Sequence, residues 1–95
     1  MYRDHPVNDF AAVVDAVTQF IDVREPDEVA EGTLPGTVNI PLGALPSRIG
    51  DLDAGRRTVV LCRSGGRSTQ ACQFLVARGF GDVINLDGGM LAYRS

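Results

Sequence analysis

Short, mostly apolar runs alternate with segments of helical character along the chain. These runs fall at residues 20–23, 37–40, 58–61 and 83–86, with Gly- or Pro-containing turns between them. Runs of this kind are typical of strands buried on both faces, and the helices between them bring successive strands back in parallel. The alternation therefore predicts the α/β class, with a small, open, mostly parallel sheet that carries helices on both faces.

Four segments between and before these runs have helical patterns. Residues 8–17 carry apolar side chains at helical spacing after a capping Asn or Asp. A short helix is predicted from Pro26, because proline suits the first turn of a helix, and a weaker one over residues 42–49. The strongest pattern begins near Ser68 and buries one apolar face.

Length and charge limit the class of protein. The chain has 95 residues, which leave room for one core, so we predict a tail at residues 1–8 and a single domain at residues 9–95. All nine basic residues are Arg and the net charge is −3, which argues against nucleic acid as the main partner. No signal-peptide pattern and no membrane-length apolar run is present, so we expect a cytoplasmic protein without a membrane partner.

The two cysteines, Cys62 and Cys72, lie ten residues apart. Only His5 could join them as a soft ligand, which is too few for a zinc site, and the spacing is not that of a C-x-x-C redox pair. We therefore predict no metal and no other cofactor, with both cysteines as thiols in a reducing compartment. Cys72 falls on the apolar face of the last predicted helix and is expected to be a core residue.

The segment Cys62-Arg63-Ser64-Gly65-Gly66-Arg67-Ser68 follows the predicted strand at residues 58–61 and leads into a predicted helix. A loop in this position can turn its backbone N–H groups inward and form an anion cradle next to the cysteine. Gly65 and Gly66 favour that turn because glycine adopts positive φ at little cost. The substrate-binding loop is therefore predicted at residues 62–68.

Cys62 is the candidate nucleophile of this loop. A free thiol titrates at about 8.5, so the thiolate needs stabilisation near neutral pH. His5 lies in the predicted tail and is not expected to act as a base. The ionisation of Cys62 is therefore expected to depend on loop amides, the positive end of the helix, and Arg63 or Arg67.

Polar or Gly-rich sequence follows three of the predicted strands. Asp22-Val23-Arg24 lies at the end of the first, residues 62–68 follow the third, and Asp87-Gly88-Gly89 follows the last. The carboxyl ends of parallel strands share one edge of the sheet, where ligands collect. Asp22 and Arg24 are thus predicted to support the Cys62 loop from another strand.

Five blocks of the sequence match one family in order and spacing. The chain resembles the rhodanese domain from about Phe10 to Tyr93. The matching blocks are Ile21-Asp22-Val23-Arg24-Glu25-Pro26, Glu31-Gly32-Thr33-Leu34-Pro35-Gly36-Thr37-Val38-Asn39-Ile40-Pro41, Cys62-Arg63-Ser64-Gly65-Gly66-Arg67-Ser68, Gly79-Phe80 and Leu86-Asp87-Gly88-Gly89-Met90.

The resemblance implies a five-stranded parallel sheet and sulfurtransferase activity through a persulfide on Cys62. The predicted partners are a small-molecule or protein sulfur donor, such as thiosulfate or a persulfide, and a thiol or cyanide-type acceptor. Two positions depart from the family pattern: Thr33 stands where His is usual and Tyr93 where Trp is usual. The first removes a possible polar partner near the site, and the second is a conservative aromatic change.

Several loop residues also have purely structural interpretations. Arg63 is either a donor contact or a solvated side chain, while Arg67 is expected to bond a carboxylate or loop carbonyls more than substrate. Asp22 and Arg24 are expected to tie loops together. Ser64 and Ser68 can donate hydroxyls, and Ser68 equally suits a helix start.

Two other functions remain open at the sequence level. Related cysteine loops in phosphatases and arsenate reductases bind tetrahedral oxyanions, but only four residues separate Cys62 from Arg67 here, against five in the phosphatase signature. The shorter loop favours one sulfur over a phosphoryl group. Rhodanese-like domains also serve as non-catalytic interaction modules, usually without the cysteine, which this chain retains.

Overall fold

Five parallel strands form one open sheet in the order β1-β5-β4-β2-β3. The computed structural model describes residues 1–94; Ser95, the last residue of the predicted domain, lies outside the described residues. Every neighbouring pair of strands is parallel, which confirms the predicted class. The strands are β1 (Arg3–Pro6), β2 (Gln19–Asp22), β3 (Val38–Asn39), β4 (Thr58–Leu61) and β5 (Val83–Asp87).

The helices are short except for one. They are α1 (Pro26–Ala30), α2 (Leu45–Arg48), α3 (Gly66–Ala77) and α4 (Gly89–Ala92), with 3-10 turns at Val7–Ala12, Leu42–Ala44 and Ile49–Asp51. In the described part of the chain, no helix is long and apolar enough to cross a membrane.

Alternate residues of the strands feed two separate clusters of buried side chains. In β4, Val60 packs on the side of α2 and α3, whereas Val59 and Leu61 pack on the opposite side, against the Val7–Ala12 turn and α4. All four residues of β4 are buried, as expected for a strand covered on both faces. The predicted helices on both faces of the sheet are confirmed.

The interpretation of residues 1–8 as a tail is wrong. Arg3–Pro6 forms β1, an edge strand whose residues pair with Ile84 to Asp87 of β5. None of its residues is buried, so the strand lacks the apolar alternation by which sequence analysis recognises strands. It is held instead by its backbone ladder, and the boundary predicted at residue 9 falls after it.

The prediction of a helix over residues 8–17 is also wrong. A 3-10 turn ends at Ala12, and Asp15 then accepts hydrogen bonds from the Val17 amide (3.0 Å) and the Thr18 hydroxyl (2.9 Å). This local side-chain bonding competes with a helical ladder, and Val17 is left 65% exposed. The weak helix predicted over residues 42–49 is present in part: α2 (Leu45–Arg48) lies within that range, and 3-10 turns at Leu42–Ala44 and Ile49–Asp51 flank it.

Candidate active site

Cys62 lies directly after β4 and is almost fully buried, with 1% of its surface exposed. Its Sγ accepts a hydrogen bond from the Gly65 backbone N–H at 2.9 Å and lies 3.2 Å from the Ser68 hydroxyl. The loop thus curls back over the sulfur, as predicted for residues 62–68. The sulfur faces donors rather than a general base.

Gly65 is the turning point of the loop and the N-cap of α3. Its φ of +109° is a conformation that side chains disfavour, which explains glycine here. The Gly65 carbonyl accepts hydrogen bonds from the Thr69 amide (3.0 Å) and hydroxyl (2.7 Å). The helix begins at Gly66, two residues before the predicted start, so Ser68 lies inside its first turn.

The pKa of the Cys62 thiol lies below its ordinary value although the sulfur is buried. Burial is the largest effect and raises the pKa. The Ser68 hydroxyl and the backbone amides of Ser68, Gly65 and Ser64 together outweigh it, because each favours the thiolate. The donors that lower this pKa are a hydroxyl and backbone amides, and no histidine is among them.

The turn before α4 holds this loop from the other side. The Met90 amide donates to the Cys62 carbonyl and the Leu91 amide to the Arg63 carbonyl, both at 2.9 Å. Gly89 has a φ of +59°, and a Cβ there would lie 2.5 Å from the Cys62 carbonyl oxygen. The predicted meeting of residues 87–89 with the Cys62 loop at one edge of the sheet is confirmed.

Arg67 and Arg63 have different surroundings. Arg67 donates to both carboxylate oxygens of Glu28 in α1, at 2.6 and 2.8 Å, which bears out the predicted carboxylate partner. Arg67 lowers the pKa of Glu28 to about 2. Arg63 is exposed, and its guanidinium has no hydrogen-bond or ion-pair partner within residues 1–94. Ser64 and Gly66 are exposed next to it, at the mouth of the loop.

Asp22 and Arg24 form a buried ion pair that serves α1 rather than the cysteine. The Arg24 Nη2 lies 2.8 Å from Asp22 and also donates to the Gly32 carbonyl at 2.7 Å, just after α1. Thr33 donates to Asp22 at 2.7 Å, so the residue that stands in place of His still supplies a polar partner. No hydrogen bond or ion pair joins Asp22 or Arg24 to residues 62–68. Their link to the loop runs through α1, where Glu28 binds Arg67.

Two residues that connect to the Cys62 loop through Ser68 are not predicted from the sequence. Asn85 in β5 is 2% exposed and accepts a short hydrogen bond from the Ser68 hydroxyl. Its amide nitrogen donates to Asp4 of β1 at 3.0 Å. Asn85 is the one amide side chain in the otherwise apolar run at residues 83–86, and this exception is the sequence signal for a buried polar contact. Asp4 has no such signal, because it lies in the segment interpreted as a tail.

Cys72 is a core residue, as predicted. It is fully buried in α3, and burial is the main cause that raises its pKa to about 12. Within residues 1–94, no three His, Cys, Asp or Glu side chains are grouped as a metal site would require. Tyr93 packs edge-on against Phe10, with ring centroids 6.2 Å apart, as expected for a packing role.

The chain is similar in sequence and in fold to proteins of the rhodanese-like domain family. The family model of the rhodanese-like domain matches residues 7–95. A sulfurtransferase of Allochromatium vinosum is 41% identical over 73 residues, covering 77% of this chain and 68% of the relative. The thiosulfate sulfurtransferase GlpE of Shewanella oneidensis is 35% identical over 94 residues, covering 98% of this chain and 93% of the relative.

The comparison with solved structures indicates the same family. A crystal structure of a rhodanese-like domain protein from Staphylococcus aureus superposes with a TM-score of 0.84 at 26% identity, covering 95% of this chain and 89% of that one. The chain therefore belongs to the rhodanese-like domain family, and it is a sulfurtransferase of the rhodanese type.

Proposed function

We propose that Cys62 carries a sulfane sulfur as a persulfide, which it receives from thiosulfate or a persulfide donor and passes to a thiol or cyanide-type acceptor. One observation carries the proposal: the Cys62 sulfur lies inside a ring of donors, 2.9 Å from the Gly65 amide, that lowers its thiol pKa despite burial. The loop amides in this ring also suit an anionic persulfide.

The transfer consists of two displacements that need no outside oxidant. In the first, the Cys62 thiolate attacks the outer sulfur of thiosulfate, the S–S bond of the donor breaks, and sulfite leaves with the bonding electron pair. The enzyme then holds Cys62–S–S⁻. In the second, an acceptor thiolate attacks that outer sulfur, which leaves as the acceptor persulfide and restores the Cys62 thiolate. Charge balances in both steps.

Arg63 is the proposed contact for an anionic donor. Its guanidinium is exposed beside the loop, whereas Arg67 directs both of its terminal nitrogens at Glu28. The occupied Arg67 also argues against a phosphatase, because phosphoryl transfer would need that guanidinium to hold the phosphate oxygens. The two unpaired cysteines suit a reducing compartment, and we propose a cytoplasmic location.

Intact-mass measurement after a single treatment with thiosulfate tests the assignment. One added sulfur is expected on the wild type and on Cys72→Ala, the matched control for the other thiol, and none on Cys62→Ser. Equal labelling of all three variants would contradict the role of Cys62. Failure of the folded wild type to accept sulfur from thiosulfate, glutathione persulfide or a protein persulfide would favour a non-catalytic interaction module.

A second experiment compares the rates at which the same three donors transfer sulfur to Cys62 under single-turnover conditions. Rates that differ by orders of magnitude identify the donor class. Repeating the series with Arg63→Ala separates anionic recognition from general reactivity: thiosulfate uptake is expected to slow more than uptake from a less charged donor. Hydrolysis of an aryl phosphate that disappears in Cys62→Ser would instead support the phosphatase.

A further inference from the structure

The Ser68 hydroxyl has one hydrogen and three acceptors within reach. Cys62 Sγ lies at 3.2 Å, the Gly65 carbonyl oxygen at 3.1 Å, and the Asn85 side-chain oxygen in a shorter contact. A hydroxyl can donate to one acceptor at a time while its lone pairs accept from others. Ser68 can therefore stabilise a Cys62 thiolate only when its hydroxyl hydrogen points to the sulfur and not to Gly65 or Asn85.

Asn85 can present only its oxygen to Ser68, because Asp4 fixes the orientation of the amide. The Asn85 nitrogen donates to Asp4 at 3.0 Å, and a carboxylate accepts hydrogen bonds without donating any. Asp4 and Asn85 are also register partners on β1 and β5, which holds the two side chains on the same face of the sheet. An amide turned the other way would place two donors against Ser68 and its own oxygen against a carboxylate.

We propose that Asn85 is a positioning residue that competes with the Cys62 sulfur for the Ser68 proton, and that Asp4 fixes Asn85 in this role. The proposal rests on the Cys62 chemistry proposed above. With a thiol, Cys62 donates to Ser68 and Ser68 donates to Asn85. With a thiolate, Ser68 turns to the sulfur and leaves the buried Asn85 oxygen without its partner, which costs free energy.

The competition favours the sulfur-loaded enzyme. In Cys62–S–S⁻ the charge lies on the outer sulfur, about 2 Å beyond Sγ, where the loop amides hold it. Ser68 is then released to bond Asn85 again. The thiolate alone bears the cost of the unpaired Asn85 oxygen, so removing that oxygen stabilises the thiolate relative to the persulfide.

Charged groups near this cluster require a test that separates hydrogen bonding from electrostatics. Asp4 faces it from β1, while the Arg67 guanidinium lies close enough to interact with Cys62; the Cys72 thiol on α3 is titratable but neutral, because burial raises its pKa to about 12. Asp22 lies beyond, on β2, paired with Arg24. Asn85→Leu removes the competing oxygen without changing any of these charges.

The measurement is the pH dependence of iodoacetamide alkylation at Cys62, read by peptide mass so that Cys72 does not contribute. For Asn85→Leu we expect the midpoint to move to lower pH, with about threefold or more thiolate at any pH below it. In a Ser68→Ala background the same substitution should leave the midpoint unchanged. This readout uses no sulfur donor, so it stands apart from any failure of sulfur transfer.

Asp4→Ala is a second variant, at an exposed position, in case Asn85→Leu does not fold. Removing this carboxylate frees the Asn85 amide to turn and also removes a charge. The Asp4→Ala shift in midpoint is therefore measured with and without the Ser68 hydroxyl. The part of the shift that is lost in the Ser68→Ala background is the part that acts through the Asn85–Ser68 hydrogen bond. A midpoint that does not move, that moves to higher pH, or that moves equally with and without the Ser68 hydroxyl overturns the proposal.

Discussion

The lowered pKa of Cys62 depends on individual donors that offset its burial. Burial raises the thiol pKa more than any one neighbour lowers it, and only the Ser68 hydroxyl together with three loop amides reverses the sign. A backbone amide is difficult to remove by substitution. The Ser68 hydroxyl is therefore the donor whose deletion most directly tests this balance.

Ser68→Ala is expected to raise the pKa of Cys62 and slow its alkylation at neutral pH about tenfold, because a hydrogen bond to a charged group is lost. The wild-type rate should rise with pH and reach its midpoint below that of an ordinary thiol, since the pKa is lowered. Ser64→Ala is the matched control in the same loop: its hydroxyl is exposed and its amide remains. An equal effect of both substitutions would contradict the role of the Ser68 hydroxyl.

Gly89→Ala is expected to impair the site from outside the loop. The added Cβ would lie 2.5 Å from the Cys62 carbonyl oxygen and 2.6 Å from backbone atoms of Arg63, so the loop must move. We expect a loss of about 1–3 kcal/mol in the free energy of unfolding and at least about tenfold in sulfur uptake. Gly81→Ala is the control, because a Cβ there meets nothing within 4 Å; comparable losses in both variants would contradict the explanation.

At the scale of elements, α1 is the piece that connects one strand end to the active loop. The buried Asp22–Arg24 pair holds its carboxyl end through the Gly32 carbonyl, and Glu28 on the same helix binds Arg67. The helix has only five residues, too few to be stable alone. Its position, and with it that of Arg67, depends on these ion pairs.

Glu28→Gln tests this connection through pH. The Glu28 pKa of about 2 lies below its ordinary value, so the ion pair stabilises the fold above the pH at which an unfolded Glu titrates and is lost as the pH falls towards 2. The wild type should thus exceed Glu28→Gln in thermal midpoint at pH 7, with a difference that shrinks in acid. Asp27→Asn makes the same charge change on the same helix without a partner, and an equal loss there would rule out a specific pair.

The sequence predicted best those elements whose signals are local. The strands at residues 58–61 and 83–86 are buried on both faces and therefore mostly apolar, with Thr58 and Asn85 as the exceptions. The Cys62 loop carries its own glycines. The link between Asn85 and Asp4 joins residues 81 apart in sequence, and no local pattern indicates it. The polar β1 and the 3-10 turn at Val7–Ala12 were missed because pairing and side-chain competition, rather than hydrophobic periodicity, determine them.

At the scale of the whole molecule, the sheet order explains how distant segments reach one sulfur. The cysteine follows β4, which has β2 on one side and β5 on the other. The carboxyl end of β2 leads to α1 and Arg67's partner, and that of β5 leads to the Gly89 turn. Beyond β5, β1 contributes Asp4. The first residues of the chain are therefore part of the scaffold around the site.

Deletion of residues 2–6 tests that conclusion. The shortened chain keeps residues 7–95, the part that the family model matches, so a dispensable tail would leave stability unchanged. The structure predicts otherwise, because the deletion removes a four-residue ladder with β5 and the packing of Tyr2 against the core below α3. We expect the free energy of unfolding in urea to fall by about 2 kcal/mol or more, with greater aggregation from the uncovered edge of β5. A shortened chain with wild-type stability would show that β1 does not support the fold.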